Sequence, residues 1–259
     1  MDTAGIAEFM KAPISCLLLV FLYLALISSC ASTTVEKEQI AIVKSTPLTP
    51  ESVPVDKPVN VSFSTYSKDW PVGWQWIDPD EKYDPTPHDV KKGVLRVSIP
   101  TKKDLAGEKL NAPRYIKPIT GDFEIETRVK FLPKENYQGA GLLIFNDDRN
   151  YIRFERAYGG TGGGGEGLRI DVRKGDSYQP VLTPDNMPTE IAQIDMKIVR
   201  NGRMFSSFWR EDENTEWRLA AEYEADYPAT ILTGLVASNT AREVTAEFAY
   251  IKLQPVVKR

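Results

Sequence analysis

Two carboxylate side chains stand close together on what is predicted to be a single strand. Glu124 and Glu126 are two residues apart, so in an extended chain they share one face at a separation of about 7 Å. Glycoside hydrolases work with such carboxyl pairs, and this spacing falls between those of retaining and inverting enzymes. The third position of the same face is Arg128. The alternative interpretation is a solvated strand face on which both glutamates form weak cross-strand ion pairs.

A second group of residues that could do chemistry is aromatic. Trp70, Trp74 and Trp76 follow one another closely and precede the carboxylate of Asp78. A sugar ring offers an apolar face to an indole and hydroxyls to a carboxylate, so we expect these tryptophans to bind a carbohydrate. Trp74 and Trp76 share one face of a strand, and the alternative is that both belong to the core. Trp70 precedes Pro71 and is expected to be exposed.

The binding predicted for these rings is weak. Covering about 100 Å² of indole contributes only about 2.5 kcal/mol. After the cost of association, one or two such rings support affinities in the millimolar to high micromolar range.

A third candidate surface lies in the middle of the chain. Tyr151, Arg153 and Glu155 alternate with Ile152 and Phe154. The guanidinium of Arg153 is suited to vicinal hydroxyls or to the carboxylate of a sugar acid. The alternative is that Arg153 pairs with a carboxylate on a neighbouring strand.

The residue inventory predicts that no cofactor is needed. One histidine, His88, and two cysteines exclude most His/Cys metal centres and histidine-dependent triads, and His88 is expected on the surface. Asp147 and Asp148 are weak candidates for a Ca²⁺ site, because calcium prefers clustered oxygen ligands. The alternative is that these carboxylates cap backbone amides in a turn.

The overall charge argues against nucleic acid as a partner. Thirty-two Lys and Arg stand against 36 Asp and Glu, for a net charge of −4 without a basic block. Binding to phosphates requires clustered basic residues. The hydrophobic share of 42% is typical of a globular chain rather than a disordered one.

The elements that must position these residues are β-strands. Phe123, Ile125 and Val129 alternate with charged residues, and similar two-residue periods run through 194–199 and 244–252, where Val244, Phe248 and Tyr250 are assigned to one face. No helical period is sustained from about 59 to 253. The pattern predicts eleven or twelve strands in an all-β sandwich.

Turn residues separate the predicted strands. Asn201-Gly202 is typical of a two-residue hairpin, and 147–150 of a longer turn. The glycine-rich stretch 159–167 is followed by a strand pattern and lacks the lysine of a phosphate-binding loop. It is therefore interpreted as a hairpin tip, with a loop over a ligand groove as the alternative.

The N-terminus predicts export. Residues 17–27 form an uninterrupted apolar run, too short to span a bilayer but suited to a secretory signal. The following Ser28-Ser29-Cys30 resembles the lipobox of bacterial lipoproteins, which implies a signal peptide at 1–29 and acylation of Cys30, and an ordinary signal peptide is the alternative. The proline-rich segment 30–58 is predicted to be a flexible tether, and 59–259 the folded domain.

The folded part resembles the concanavalin-A-like domain appended to bacterial β-xylosidases and arabinofuranosidases. The resemblance covers roughly residues 70–255 and rests on five blocks in order: 73–79, 111–124, 139–151, 197–217 and 233–251. It implies a jelly-roll of two bent antiparallel sheets whose concave face often binds carbohydrate. Glucanases of this fold carry a Glu-x-Asp-x-Glu motif, and Arg128 departs from it, which weighs against catalysis by Glu124 and Glu126.

These observations predict a lipid-anchored carbohydrate-binding module of the bacterial cell envelope, without catalysis and in contact with a membrane only through its lipid. A second hypothesis is a glycoside hydrolase that uses Glu124 and Glu126. A third is a non-catalytic envelope scaffold that binds another protein.

Overall fold

The computed structural model describes residues 53–63, 70–106, 109–159, 165–181 and 190–256. The described residues contain eighteen β-strands and no α-helix. In chain order these are β1 Val53–Pro54, β2 Val59–Ser62, β3 Gln75–Ile77, β4 His88–Lys91, β5 Val94–Ile99, β6 Leu105–Ala106, β7 Lys109–Leu110, β8 Arg114–Thr120, β9 Phe123–Lys130, β10 Gln138–Asp147, β11 Asn150–Tyr158, β12 Glu166–Lys174, β13 Ser177–Val181, β14 Gln193–Asn201, β15 Met204–Arg210, β16 Arg218–Glu224, β17 Thr230–Ser238 and β18 Val244–Pro255.

Sixteen of these strands form two large sheets. Sheet A has the order β1-β8-β17-β10-β11-β12-β13, with β3 also paired to β8. Sheet B has the order β16-β15-β14-β9-β18-β5-β4, with β2 also paired to β18, and β6 and β7 form a separate hairpin. Apart from the short parallel pair β1–β8, the strand pairs within both sheets are antiparallel. The predicted all-β jelly-roll sandwich is confirmed.

The core between the sheets follows from two-residue alternation. On β9, Phe123, Ile125 and Val129 are buried, while Glu124 and Glu126 alternate with them on the opposite face. The inward residues of sheet B form one apolar cluster with the inward residues of sheet A. The face assigned to β9 from its sequence is therefore confirmed.

Strand β18 departs from the predicted alternation. Its pairing with β9 shifts between Phe248 and Ile251, which marks a β-bulge. Beyond the bulge Ile251 and Leu253 are buried, so the assignment of Tyr250 to the face of Phe248 is wrong. The extra residue in the bulge reverses which side chains face the core.

Sheet A is buried on both faces, unlike sheet B. Its outer face carries a second apolar cluster that includes Leu143, Tyr151 and Val236 and is joined by Leu105 of β6. Strand β11 is consequently buried from Tyr151 to Ala157. This second layer decides the environment of several residues that the sequence assigns to a binding surface.

Both predicted turns are present. Asn201 pairs with Met204 across a tight turn in which Gly202 has a φ of 61°. Asp147 pairs with Asn150 at the β10–β11 turn. The glycine-rich stretch connects β11 to β12, where Tyr158 pairs with Glu166, as expected of a hairpin.

The N-terminal predictions fall largely outside the described residues. The signal peptide 1–29, Cys30 and the tether up to residue 52 are all in this category. Within the range predicted as tether, Val53 pairs with Ile119 and Pro54 with Thr120, so the sandwich begins before residue 59. In the part of the chain that the structure describes, there is no helix with the length and apolar character needed to cross a bilayer.

Candidate functional site

Three aromatic side chains meet at the surface where β3 and β4 lie. Trp76 is on β3, His88 begins β4, and Trp70 precedes the turn at Pro71. The rings of Trp76 and His88 are stacked at 4.0 Å, and those of Trp70 and Trp76 lie 6.3 Å apart at an angle of 14°. Both tryptophans are half-buried and His88 is exposed. We call Trp70, Trp76 and His88 the rim cluster.

The rim cluster rests on the core. The ring of Trp70 packs against buried Tyr115 at 4.5 Å, and Trp74 stacks on Tyr115 at 5.0 Å. Trp74 is only 4% exposed, so its indole is part of the core, as the alternative interpretation has it, and does not face solvent. The turn before Trp74 uses Gly73 with a φ of 82°, a conformation that favours glycine. The tryptophans at the surface are thus held by packing rather than by a mobile loop.

Hydrogen bonds fix the segment that links Trp76 to His88. Asp78 accepts the backbone N–H of Thr86 at 2.6 Å and the ammonium of Lys103 at 3.0 Å. Lys103 is fully buried and also donates to the carbonyl of Asp84. Nδ1 of His88 donates to the carbonyl of Thr86 at 3.0 Å. These contacts hold His88 against Trp76 and orient the rim cluster.

The third candidate surface is interior. Tyr151, Arg153 and Glu155 are between 0% and 3% exposed. The segment around β6 contacts Tyr151 and Arg153, while Glu155 is enclosed with Arg169 and Ser238. The hydroxyl of Tyr151 donates to the carbonyl of Leu105, and Arg153 pairs with Asp104 at 3.1 Å. These three side chains therefore do not present a solvent-open binding surface, and the alternative of cross-strand pairing describes Arg153.

Arg153 and Glu155 belong to a buried network of ion pairs. Arg153 contacts Asp171 at 3.0 Å, and Arg169 contacts Glu155 at 2.7 Å. Burial disfavours the charged forms, but Arg169 and Arg153 outweigh it and lower the pKa of Glu155. At Asp171 burial prevails and the pKa is raised. This network links β11 and β12 and has the character of a structural support.

The two glutamates of the first hypothesis lie on the outer face of sheet B. Glu126 accepts hydrogen bonds from the Tyr250 hydroxyl at 2.6 Å and the Lys252 ammonium at 3.3 Å. Glu124 accepts one from Gln254 at 2.9 Å. Both carboxylates are thus engaged with neighbouring side chains, as the solvated-face interpretation expects. Burial, together with Glu126, raises the pKa of the Tyr250 hydroxyl.

The turn carboxylate Asp147 is also engaged. It accepts hydrogen bonds from the backbone of Arg149 at 2.8 Å and from the side chains of Asn146 and Asn150 at 2.7 to 3.0 Å. These contacts match the turn-capping alternative. Across the described ranges, no three His, Cys, Asp or Glu side chains gather as ligands of a metal ion would.

The structure therefore brings together only part of the predicted site. Trp70 and Trp76 meet at the surface, and His88 joins them although its sequence context predicts only an ordinary surface position. The sequence alone does not predict this contact. His88 lies against Trp76 because the loop between them is held by the hydrogen bonds that Asp78 forms with Thr86 and Lys103.

A match to a family model identifies the family of this chain. Residues 99–256 match the family described as "Protein of unknown function (DUF1349)". The chain belongs to the DUF1349 family. No curated protein sequence matches this DUF1349 chain.

Solved structures confirm the fold of the DUF1349 chain. A GH43 protein, BlXynB, from Bacillus licheniformis aligns with a TM-score of 0.60 at 14% identity, over 76% of this chain and 39% of that protein. A xylan β-1,4-xylosidase from Bacillus halodurans aligns with a TM-score of 0.58 at 16% identity, over 75% and 38%. The chain thus spans about two-fifths of the length of these enzymes.

A third structure matches over nearly its whole length. A functionally unknown protein from Saccharomyces cerevisiae aligns with a TM-score of 0.57 at 14% identity, over 72% of this chain and 98% of that one. At these identities the similarity establishes a shared β-sandwich fold. The shared fold forms part of the two longer proteins from Bacillus and nearly the whole of the yeast protein.

Proposed function

We propose that the DUF1349 domain is a weak carbohydrate-binding module that contacts its ligand through the rim cluster. The observation that carries this proposal is the pair of half-buried tryptophans, Trp70 and Trp76, aligned within 14° and packed on the core. A rigid ring loses little conformational freedom on binding, so most of its contact energy remains available. The xylosidase to which the chain is similar acts on xylan, which makes plant-type polysaccharides the first ligands to test.

The chemistry of the rim cluster suits a sugar. An indole covers the apolar face of a pyranose, while the imidazole of His88, whose Nδ1 is engaged by Thr86, offers Nε2 to a hydroxyl. Two partly covered rings bury less area than two free ones, so the affinity of a single site is expected in the millimolar range. Useful retention then requires a polymer that engages many copies at once.

The hydrogen bonds that Glu124 and Glu126 accept from side chains of β18 favour a binding role over hydrolysis. An acid catalyst needs a carboxyl group that carries a proton and faces the substrate. Glu126 instead accepts hydrogen bonds from Tyr250 and Lys252, and the remaining position of the motif is Arg128. The module is accordingly proposed to retain polysaccharide without cleaving it, held at the cell envelope by lipid on Cys30.

Affinity gel electrophoresis of the full chain tests the proposal. Native gels that contain neutral xylan, arabinan or glucan are expected to retard the wild-type protein, with no release of reducing sugar. Trp70→Ala and Trp76→Ala are expected to weaken retardation about tenfold, since each removes one stacked ring. Leu219→Ala is the control, because Leu219 is a half-exposed apolar residue on β16.

Thermal unfolding of each variant separates loss of binding from loss of fold. Trp76→Phe keeps an aromatic ring over the core and is expected to bind between wild type and Trp76→Ala. The proposal is overturned if no neutral polysaccharide retards the wild type, or if folded Trp70→Ala and Trp76→Ala migrate as the wild type does.

A further inference from the structure

A third surface tryptophan lies far along the chain from the rim cluster. Trp217 sits between β15 and β16 and is half-buried. The centre of its indole ring lies 4.4 Å from the guanidinium of Arg210 and 4.4 Å from the ammonium of Lys197. Lys197 on β14 and Arg210 on β15 both alternate with buried residues, so both rise from the outer face of sheet B. The indole therefore lies over that face.

The two cations differ in their partners. Arg210 contacts buried Asp195 at 2.9 Å and Glu126 at 3.6 Å. Lys197 has no carboxylate oxygen of a described residue within 4.0 Å, and its ammonium is placed between the rings of Phe208, at 5.2 Å, and Trp217.

The neighbouring carboxylates are already engaged. Glu126 is held by Tyr250 and Lys252, and Asp195 is shared by Arg128, at 2.6 Å, and Arg210. Burial lowers the pKa of Lys197, although Glu124 and Glu126 partly oppose this change. Lys197 is thus partly withdrawn from water, and it is influenced by Glu124 and Glu126 without forming a direct ion pair with either carboxylate.

An ammonium beside a flat indole fits one class of ligand in particular. A hexuronic acid has an apolar ring face that can cover Trp217 and a carboxylate at its edge that can pair with Lys197. We propose that Trp217, Lys197, Arg210 and Phe208 form a binding site for carboxylate-bearing sugar residues of an acidic polysaccharide. We call these four residues the Trp217 site.

Each member of the Trp217 site has a distinct part. The indole of Trp217 carries the sugar ring, and Lys197 receives the carboxylate. Arg210, fixed by Asp195, contacts the indole and supports its position, and Phe208 packs near the Lys197 ammonium. This site differs from the rim cluster in ligand charge and does not depend on it.

The test compares an acidic with a neutral polysaccharide on the full chain. Polygalacturonate in a native gel is expected to retard the wild type, and added NaCl is expected to reduce this retardation because the contact is ionic. Trp217→Ala and Lys197→Met are each expected to weaken binding of polygalacturonate about tenfold. Lys197→Arg keeps the charge and is expected to stay within about threefold of wild type.

Matched variants separate the Trp217 site from general charge effects. Arg203→Gln removes one positive charge from an exposed residue at the β14–β15 turn and is expected to leave binding of polygalacturonate unchanged. Trp70→Ala is expected to reduce retardation by neutral xylan and not that by polygalacturonate. Trp217→Ala is expected to do the reverse, so the two proposals fail independently.

Three results would overturn the inference. The first is an absence of retardation by polygalacturonate in the wild type. The second is equal retardation of wild type, Trp217→Ala and Lys197→Met, each shown to be folded by thermal unfolding. The third is a Lys197-dependent interaction with dextran sulfate or with vesicles of anionic phosphatidylglycerol that is as strong as that with polygalacturonate, since charge alone would then explain binding.

Discussion

At the scale of single residues, Glu155 shows how charge can stabilise the interior of a sandwich. Its carboxylate accepts hydrogen bonds from Arg169 at 2.7 and 3.1 Å and from the Ser238 hydroxyl at 3.1 Å. Glu155→Gln leaves the Arg169 guanidinium without its full counter-charge in a buried place. We expect the free energy of unfolding, measured in urea, to fall by about 3–5 kcal/mol. As a control, Glu224→Gln breaks an exposed ion pair with Arg203 and is expected to change the free energy of unfolding by less than about 1 kcal/mol.

The same residue predicts a pH dependence. The pKa of Glu155 is lower in the folded protein than in the unfolded chain, so the folded state favours the charged carboxylate. Its stabilising contribution is present above the ordinary carboxyl pKa and is lost as the pH falls through the lowered value. Wild type is therefore expected to lose more stability than Glu155→Gln between about pH 5 and pH 2. Parallel stability profiles for the two proteins over this range would contradict the assignment.

At the scale of strands, close packing restricts glycine positions in sheet A. A Cβ atom on Gly234 of β17 would lie 2.0 Å from the Tyr115 carbonyl oxygen and 2.9 Å from Cα of Ile116, both on the neighbouring strand. Backbone atoms cannot move aside as a flexible side chain can. We expect Gly234→Ala to lower the free energy of unfolding by about 3 kcal/mol, measured by urea denaturation.

Gly167 is the matched control for this prediction. It also lies within a strand, β12, but an added Cβ would meet no atom within 4 Å. Gly167→Ala is expected to change stability by less than about 1 kcal/mol, in the stabilising direction, because alanine reduces the freedom of the unfolded chain. Equal destabilisation by the two substitutions would refute the packing argument.

The strands also show what the sequence can and cannot predict. Alternation identifies the inward face of β9 because one face of sheet B meets solvent. It fails on β18, where the bulge between Phe248 and Ile251 reverses the pattern. It fails on β11 for a different reason. Arg153 and Glu155 have the polarity of exposed residues, but both are buried, where opposite charges on Asp171 and Arg169 neutralise them.

The candidate sites show the same limit. A cluster of tryptophans in sequence indicates an aromatic site, yet only packing decides that Trp74 is buried while Trp70 and Trp76 reach the surface. Trp217 stands alone in the sequence, and its contacts come from Lys197 and Arg210 on two other elements. Long-range contacts of this kind leave no local pattern.

At the scale of the whole molecule, the proposed weak binding and the proposed membrane anchor would complement each other. With the flexible tether that the sequence predicts between Cys30 and Val53, the domain would lie within a coil reach of about 25 Å of the proposed anchor. Many copies held at such a distance from a membrane can engage one polymer together, so millimolar sites can retain it. The rim cluster and the Trp217 site would each gain from this arrangement.

The anchor itself is testable in a bacterial host. Acylation of Cys30 with two or more chains gives stable membrane attachment, at about 0.8 kcal/mol for each buried CH₂ group. Cys30→Ser is therefore expected to abolish incorporation of labelled palmitate and to move the protein from the membrane to the soluble fraction. Cys16→Ser, within the predicted signal peptide, is expected to leave both unchanged because that segment is removed. Membrane-bound, labelled Cys30→Ser protein would refute the anchor. Soluble protein that still binds xylan in a gel, but no longer holds it on cells, would show that retention depends on anchoring as well as on the tryptophans.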